Sequence, residues 1–247
     1  MSRSVGCIDD VRAFFDEVAE DYRDAHGCSE RSLSYRLGIL QRLLPERRSG
    51  SIVEIGCGTA MHLSSLAEGY DQAIGLDLSP AMIARCEAER LRHPLCERLR
   101  FAVDRAEELA TQRDGTVDAL ICVGTFEHII DRPRAAAQIH RVLKPGGTFV
   151  CLTPNGAYLW YTHLAPALRL ETKHLSTDRF LTSREWIGLL TTAGFDTPAV
   201  RSWTFIPRGD MPVLAARLLQ VLDGLGRRFR IDALRGGLAL RAVKPPR

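Results

Sequence analysis

No apolar run in this chain of 247 residues approaches the roughly 20 that a membrane-spanning helix needs, so a helical integral membrane protein is excluded. The opening residues, Met1-Ser2-Arg3-Ser4, reach Asp9 and Asp10 without the apolar core of a signal peptide, and a cytoplasmic location is expected. The seven cysteines (Cys7, Cys28, Cys57, Cys86, Cys96, Cys122, Cys151) are odd in number and form no CxxC pair. Neither a disulfide framework nor a metal site is expected from them. Aromatic residues make up only 7%, and the basic residues are not interleaved with stacking aromatics, so a nucleic-acid partner is not expected. Net charge is small, +3, in an ordinary globular composition of 45% hydrophobic and 26% charged residues.

What is present is a regular alternation. Apolar runs at 52–55, 73–76, 100–103, 117–123 and 148–153 read as strands. Between them lie helical segments: 60–68, one opening at Ser79-Pro80 and running to about 92, and 133–143. Repeated strand-helix units imply a parallel, doubly wound sheet whose ligand sits beyond the C-terminal strand ends. Two helices precede it: 8–24, amphipathic through Val11, Phe14, Phe15 and Val18, and one capped by Ser29 and ended by Pro45. Thr182-Ser183-Arg184-Glu185 has capping-box spacing, and Gly194 ends the helix it opens. Segments 197–205 and 238–243 read as two last strands.

The stretch Val53-Glu54-Ile55-Gly56-Cys57-Gly58-Thr59 joins the first strand to a tight glycine loop, where backbone can approach a ligand closely. Met61 stands where a dinucleotide fingerprint needs a third glycine, and no G-K-[ST] follows to cradle a triphosphate. An acid, Asp77, closes the second strand, placed to accept from two vicinal ribose hydroxyls. These residues, with Asp104-Arg105-Ala106-Glu107-Glu108 after the third strand, Phe126-Glu127-His128 after the fourth and His140-Arg141-Val142-Leu143-Lys144-Pro145-Gly146-Gly147 before the fifth, resemble the motifs of the class I S-adenosylmethionine-dependent methyltransferases, in family order over about residues 50–205.

That resemblance implies a Rossmann-like α/β fold with seven strands in the order 3-2-1-4-5-7-6, and S-adenosylmethionine as cofactor, left as S-adenosylhomocysteine. The cofactor would meet Glu54, Gly56, Cys57 and Gly58 in the loop, Asp77 at the ribose, Leu78 and Met82 on the adenine face, Asp104, Arg105 and Ala106 at the adenine edge, and Val123 at the end of the fourth strand. Arg105 stands where relatives often carry the acid. Because the sulfonium already activates the methyl group, the protein must chiefly align a nucleophile and exclude water. For a hydroxyl acceptor a histidine base suits, and His128 and His174 are the candidates, with His163 behind them. Each has the alternative of merely hydrogen-bonding a loop.

The acceptor is to be read from the additions: the helices of 1–48 resemble the lid of quinone and natural-product methyltransferases, which implies that Tyr22 reaches the cofactor, and insertions 154–181 and 206–237 are expected to form a substrate cap on a methyltransferase domain of 49–247. The aromatics of 158–163 suggest an aromatic or polyketide-like small molecule methylated on oxygen in secondary metabolism. From residue 201 onward arginine and lysine outnumber acids ten to three. Within 211–230, Met211, Leu214, Leu218, Val221, Leu222 and Leu225 form a broad apolar face beside Arg227, Arg228 and Arg230. That is compatible with peripheral membrane contact and a quinone or lipid acceptor, or with a helix packed over the active site. A non-catalytic cofactor-binding scaffold is the reading from another class.

Overall fold

The run Ile52-Val53-Glu54-Ile55 in β1 (Ser51–Ile55) is buried on both faces, as a central strand of a parallel sheet requires. β2 (Gln72–Asp77) and β4 (Val117–Val123) flank it in parallel, and β3 (Leu99–Val103) and β5 (Leu143–Pro154) extend the sheet on either side. β6 (Ala199–Trp203) and β7 (Gly237–Val243) complete the order β3-β2-β1-β4-β5-β7-β6, with β7 antiparallel to both neighbours. The computed structural model describes residues 3–20, 30–46, 49–170, 172–204 and 213–246.

Alternate residues of each strand feed two cores. Val53, Leu120, Cys122, Phe149 and Leu240 pack with α5 (Arg132–Val142) and α6 (Ser183–Thr192) on one face. Ile52, Ala119, Ile121, Val150 and Ala239 pack on the other with α2 (Glu30–Leu43), α3 (Met61–Leu66) and α4 (Pro80–Arg90). The helix starts follow sequence chemistry. Ser79 Oγ accepts from Met82 N, Asp131 accepts from Arg134 N, and Thr182 and Glu185 form the reciprocal capping box.

Some boundaries differ from the pattern. β5 begins earlier than 148, because Gly146 N donates to Lys244 O and Lys244 N to Gly147 O, drawing the Lys144–Gly147 turn into the ladder. The helical segment 60–68 starts one residue later: Ala60 is left-handed (φ 55°), and Ala67–Gly69 tightens to a 3₁₀ turn. Within the described residues the first helix, α1, spans Ile8–Val18. Tyr22 and Ser29 lie outside the described residues.

Three segments gather at the C-terminal strand ends. α1 packs on α4, where Asp16 Oδ1 accepts from Ser79 Oγ (2.5 Å) and Ala81 N (3.2 Å) at the positive end of that helix. The chain before α1 forms a short parallel bridge, Arg3 to Leu175, with the insertion after β5. That insertion holds a π-helical turn, Trp160–Leu164, whose neighbours Tyr158, Trp160 and Ala165 receive Leu219 of α7 (Val213–Phe229). A buried Asp223–Arg235 ion pair of 2.6 Å fixes α7 to the turn leading into β7. Among the described residues no helix is long and apolar enough to cross a membrane.

Candidate functional site

The order of the sheet reverses between β1 and β4, and the loops after these strands diverge there, which is where doubly wound sheets bind ligands. Gly56 (φ 62°) and Gly58 (φ 53°) turn the β1 loop away from the strand. A Cβ on Gly56 would overlap Thr125, whose hydroxyl donates to Gly56 O at 3.1 Å, so glycine is required both for conformation and for this close approach. The resulting cleft, about 620 Å³ with its mouth, is lined by Gly56, Gly58, Asp77, Leu78, Met82, Asp104, Arg105, Ala106, Thr125 and His128, and roofed by Ile8, Val11 and Phe15 of α1.

Asp77 is held from two sides. Oδ2 accepts from Gly58 N (2.8 Å) and Oδ1 from Ser79 N (2.9 Å), which leaves each oxygen a lone pair for a ligand. Burial raises its pKa above the ordinary value, against the two backbone donors. Asp104 accepts from Arg105 N, Ala110 N, Thr111 N and Thr111 Oγ1 at 2.6–3.2 Å, so its carboxylate organises the 104–111 loop as well as bordering the cleft. Glu54, Cys57 and Val123 do not line it. Glu54 Oε2 accepts from Leu63 N at 3.1 Å and anchors the start of α3; Cys57 N donates to Leu76 O at 3.0 Å and ties β1 to β2. Val123 packs into the core on the α2–α4 face.

At the far end stands His128, closing the 3₁₀ turn Phe126–His128. Its Nδ1 lies 2.6 Å from Asp178 Oδ1, while Asp178 Oδ2 accepts from His174 N (3.0 Å) and Leu175 N (2.9 Å). With Nδ1–H donated to Asp178, Nε2 is the nitrogen left to take a proton. Burial lowers the imidazole pKa, but the Asp178 hydrogen bond and the charges of Glu127 and Asp178 outweigh it, and the pKa lies above the ordinary value. Asp178, for its part, is displaced downward: burial opposes ionisation, and the His128 bond and backbone donors overcome it. Phe15 of α1 meets the His128 ring edge-on at 5.3 Å. Glu127, fully buried, points elsewhere, toward Thr153, and burial raises its pKa.

Of the two histidines expected as bases, only His128 lines the cleft. The His174 ring is 6.2 Å from that of His128, and its backbone supports Asp178. His163 pairs with Thr162 on the surface at 2.7 Å. Asp178 and Thr125 were not among the expected site residues, and Val11 was expected only as part of the apolar face of the first helix.

Comparison with known proteins agrees with this geometry. A family model described as "Methyltransferase domain" matches residues 53–151. The chain is similar to a trans-aconitate 2-methyltransferase of Deinococcus radiodurans, with 32% identity over 70% of this chain and 63% of that one. It is also similar to a malonyl-acyl-carrier-protein O-methyltransferase of Methylovorus, with 28% identity over 77% and 64%. It thus spans less than two thirds of the length of these relatives. A phosphoethanolamine N-methyltransferase of Haemonchus contortus, solved with S-adenosyl-L-methionine, shares the fold at a TM-score of 0.67 and 19% identity, over 98% of this chain and 60% of that one. In motif order, strand order and family match alike, residues 53–151 form a methyltransferase domain, on a sheet with the strand order that the resemblance to the class I S-adenosylmethionine-dependent methyltransferases implies.

Proposed function

We propose that this protein transfers the methyl group of S-adenosylmethionine to an oxygen of a small-molecule acceptor, with His128 as the general base. The observation that carries this reading is the His128–Asp178 pair bordering the same cleft as the glycine loop and Asp77. Asp77 would accept from the ribose hydroxyls, with Leu78 and Met82 against the adenine and Gly56 and Gly58 beside the amino-acid end. Ala106, Arg105 and Asp104 would border the adenine edge, Asp104 reaching its amino group only by releasing a donor of its own loop. Residues 1–48 act as lid, and 154–181 and 206–237 as substrate cap. In the reaction Nε2 of His128 takes the acceptor proton as the oxygen attacks the methyl carbon. The carbon–sulfur bond breaks and S-adenosylhomocysteine leaves neutral at sulfur. Asp178 orients the ring and stabilises the imidazolium formed. Relatives named as O-methyltransferases support oxygen as the nucleophile; the aromatics of 158–161, expected to suit an aromatic acceptor, do not border the cleft, since Tyr158 and Trp160 are buried against Leu219 of α7.

The test is S-adenosylhomocysteine release over a panel of hydroxylated and carboxylated acceptors, with a ¹³C-methyl donor to identify the methylated atom by NMR. Once an acceptor is found, His128→Ala and Asp178→Asn are expected to reduce kcat by about 10²–10⁴-fold with cofactor affinity retained. Cofactor binding without turnover on any acceptor would favour a scaffold, and methyl transfer at full rate in His128→Ala would remove the base.

A further inference from the structure

α7 has two apolar faces, and the fold uses one. Leu219 is buried and Leu222 half-buried against Tyr158, Trp160 and Ala165, and the Asp223–Arg235 pair locks that side. On the opposite side Leu218 is 54% exposed, Val221 62%, Leu225 43% and Phe229 65%, and Ile231 follows the helix at 45%. Positions 218, 221, 225 and 229 recur every three or four residues and fall on one stripe. Isolated exposed leucines need no explanation, but a continuous stripe on a soluble surface marks an interaction site.

The charges around the stripe are predominantly basic, with the exposed Asp232 beyond Ile231 of opposite sign. Arg217, Arg227, Arg228 and Arg230 are all exposed, and the only acid between residues 213 and 231 is Asp223, which is buried against Arg235. The segment on which α7 rests also exposes Leu168 and Leu170, with Arg169 between them. Two copies joined through this face would bring like-charged arginines together, which opposes a dimer. Large apolar side chains bordered by arginines on a helix locked from behind match an element lying in the plane of a lipid interface.

We propose that the outer face of α7 docks the protein on an anionic lipid bilayer, with Leu218, Val221, Leu225 and Phe229 entering the acyl boundary and the arginines meeting the headgroups. The surface belongs to the acceptor-side insertions, so docking turns that side of the site toward the membrane. It does not depend on which atom is methylated.

Co-sedimentation of the full chain with vesicles of phosphatidylcholine, with and without phosphatidylglycerol, tests it. Binding is expected only to the anionic vesicles, weakening as salt rises. Each arginine near the surface contributes about fivefold, so Arg217→Glu with Arg228→Glu is expected to weaken binding more than twentyfold. Leu218→Asp with Leu225→Asp is expected to abolish it. Because these side chains face solvent, S-adenosylhomocysteine binding by the same variants should be unchanged, which separates loss of docking from loss of fold. Two results overturn the proposal. One is vesicle binding that survives the aspartates. The other is no vesicle binding by the parent chain, whether the stripe is then covered by a second copy, seen as aspartate-sensitive self-association, or by an acidic protein.

Discussion

Asp77 is held between opposed demands, because burial disfavours its charge while Gly58 N and Ser79 N favour it. An asparagine there keeps the shape but loses the charge and one acceptor, so Asp77→Asn is expected to weaken S-adenosylhomocysteine binding by about 2 kcal/mol, roughly thirtyfold, by calorimetry. At the other end of the cleft, the His128 pKa is raised above 6.5 in the folded protein. The proposed base is the neutral imidazole, so kcat/KM should rise with pH through an inflection above that value, and Asp178→Asn should move the inflection down. The stability contribution has the opposite sense: a raised histidine pKa stabilises the fold at low pH and is lost as pH rises through the folded value. At this scale the glycines and Asp77 were legible because their spacing within one strand-loop unit is fixed by local geometry. The partner of His128 was not, since Asp178 lies 50 residues away and only the fold brings them together.

Elements read well where local chemistry sets them and poorly where packing does. Ser79-Pro80 and Thr182 with Glu185 announced their helices, because a cap needs only its own first turn. The 154–181 insertion gave no such signal, since its π-helical turn is shaped by contact with α7, which belongs to the other insertion. α7 itself depends on a buried pair. Arg235 Nη1 donates to Asp223 Oδ2, and Thr204 Oγ1 to the same oxygen at 2.8 Å. Removing one partner leaves a buried charge alone, so Asp223→Ala is expected to cost about 3–5 kcal/mol in urea unfolding followed by Trp fluorescence. Replacing both partners with apolar residues should cost much less.

For the whole molecule, the strand-helix alternation made the parallel, doubly wound core readable, while the full order, with β7 inserted antiparallel between β5 and β6, was expected only through the family resemblance. A helical lid was expected over 1–48, but how α1 is seated over the cleft was not readable, because the contacts of α1 with α4 and of Arg3 with Leu175 join segments far apart in the chain. Since the cleft is built from β1, β2, β3, β4 and α1 together, its ligand binds only the folded state. S-adenosylhomocysteine at a hundred times its dissociation constant should therefore raise the unfolding free energy by about 2.7 kcal/mol, measurable as a Tm shift that Asp77→Asn largely removes.

The bridge between Arg3 and Leu175 links this roof to the base. Arg3 N donates to His174 O and Ser176 N to Arg3 O, while the amides of His174 and Leu175 hold the carboxylate that aims His128. The segment before α1 and the loop that holds the Asp178 carboxylate are one piece of chain pairing, so in the reaction proposed above a strap displaced to exchange the donor would at the same moment loosen the carboxylate that aims His128.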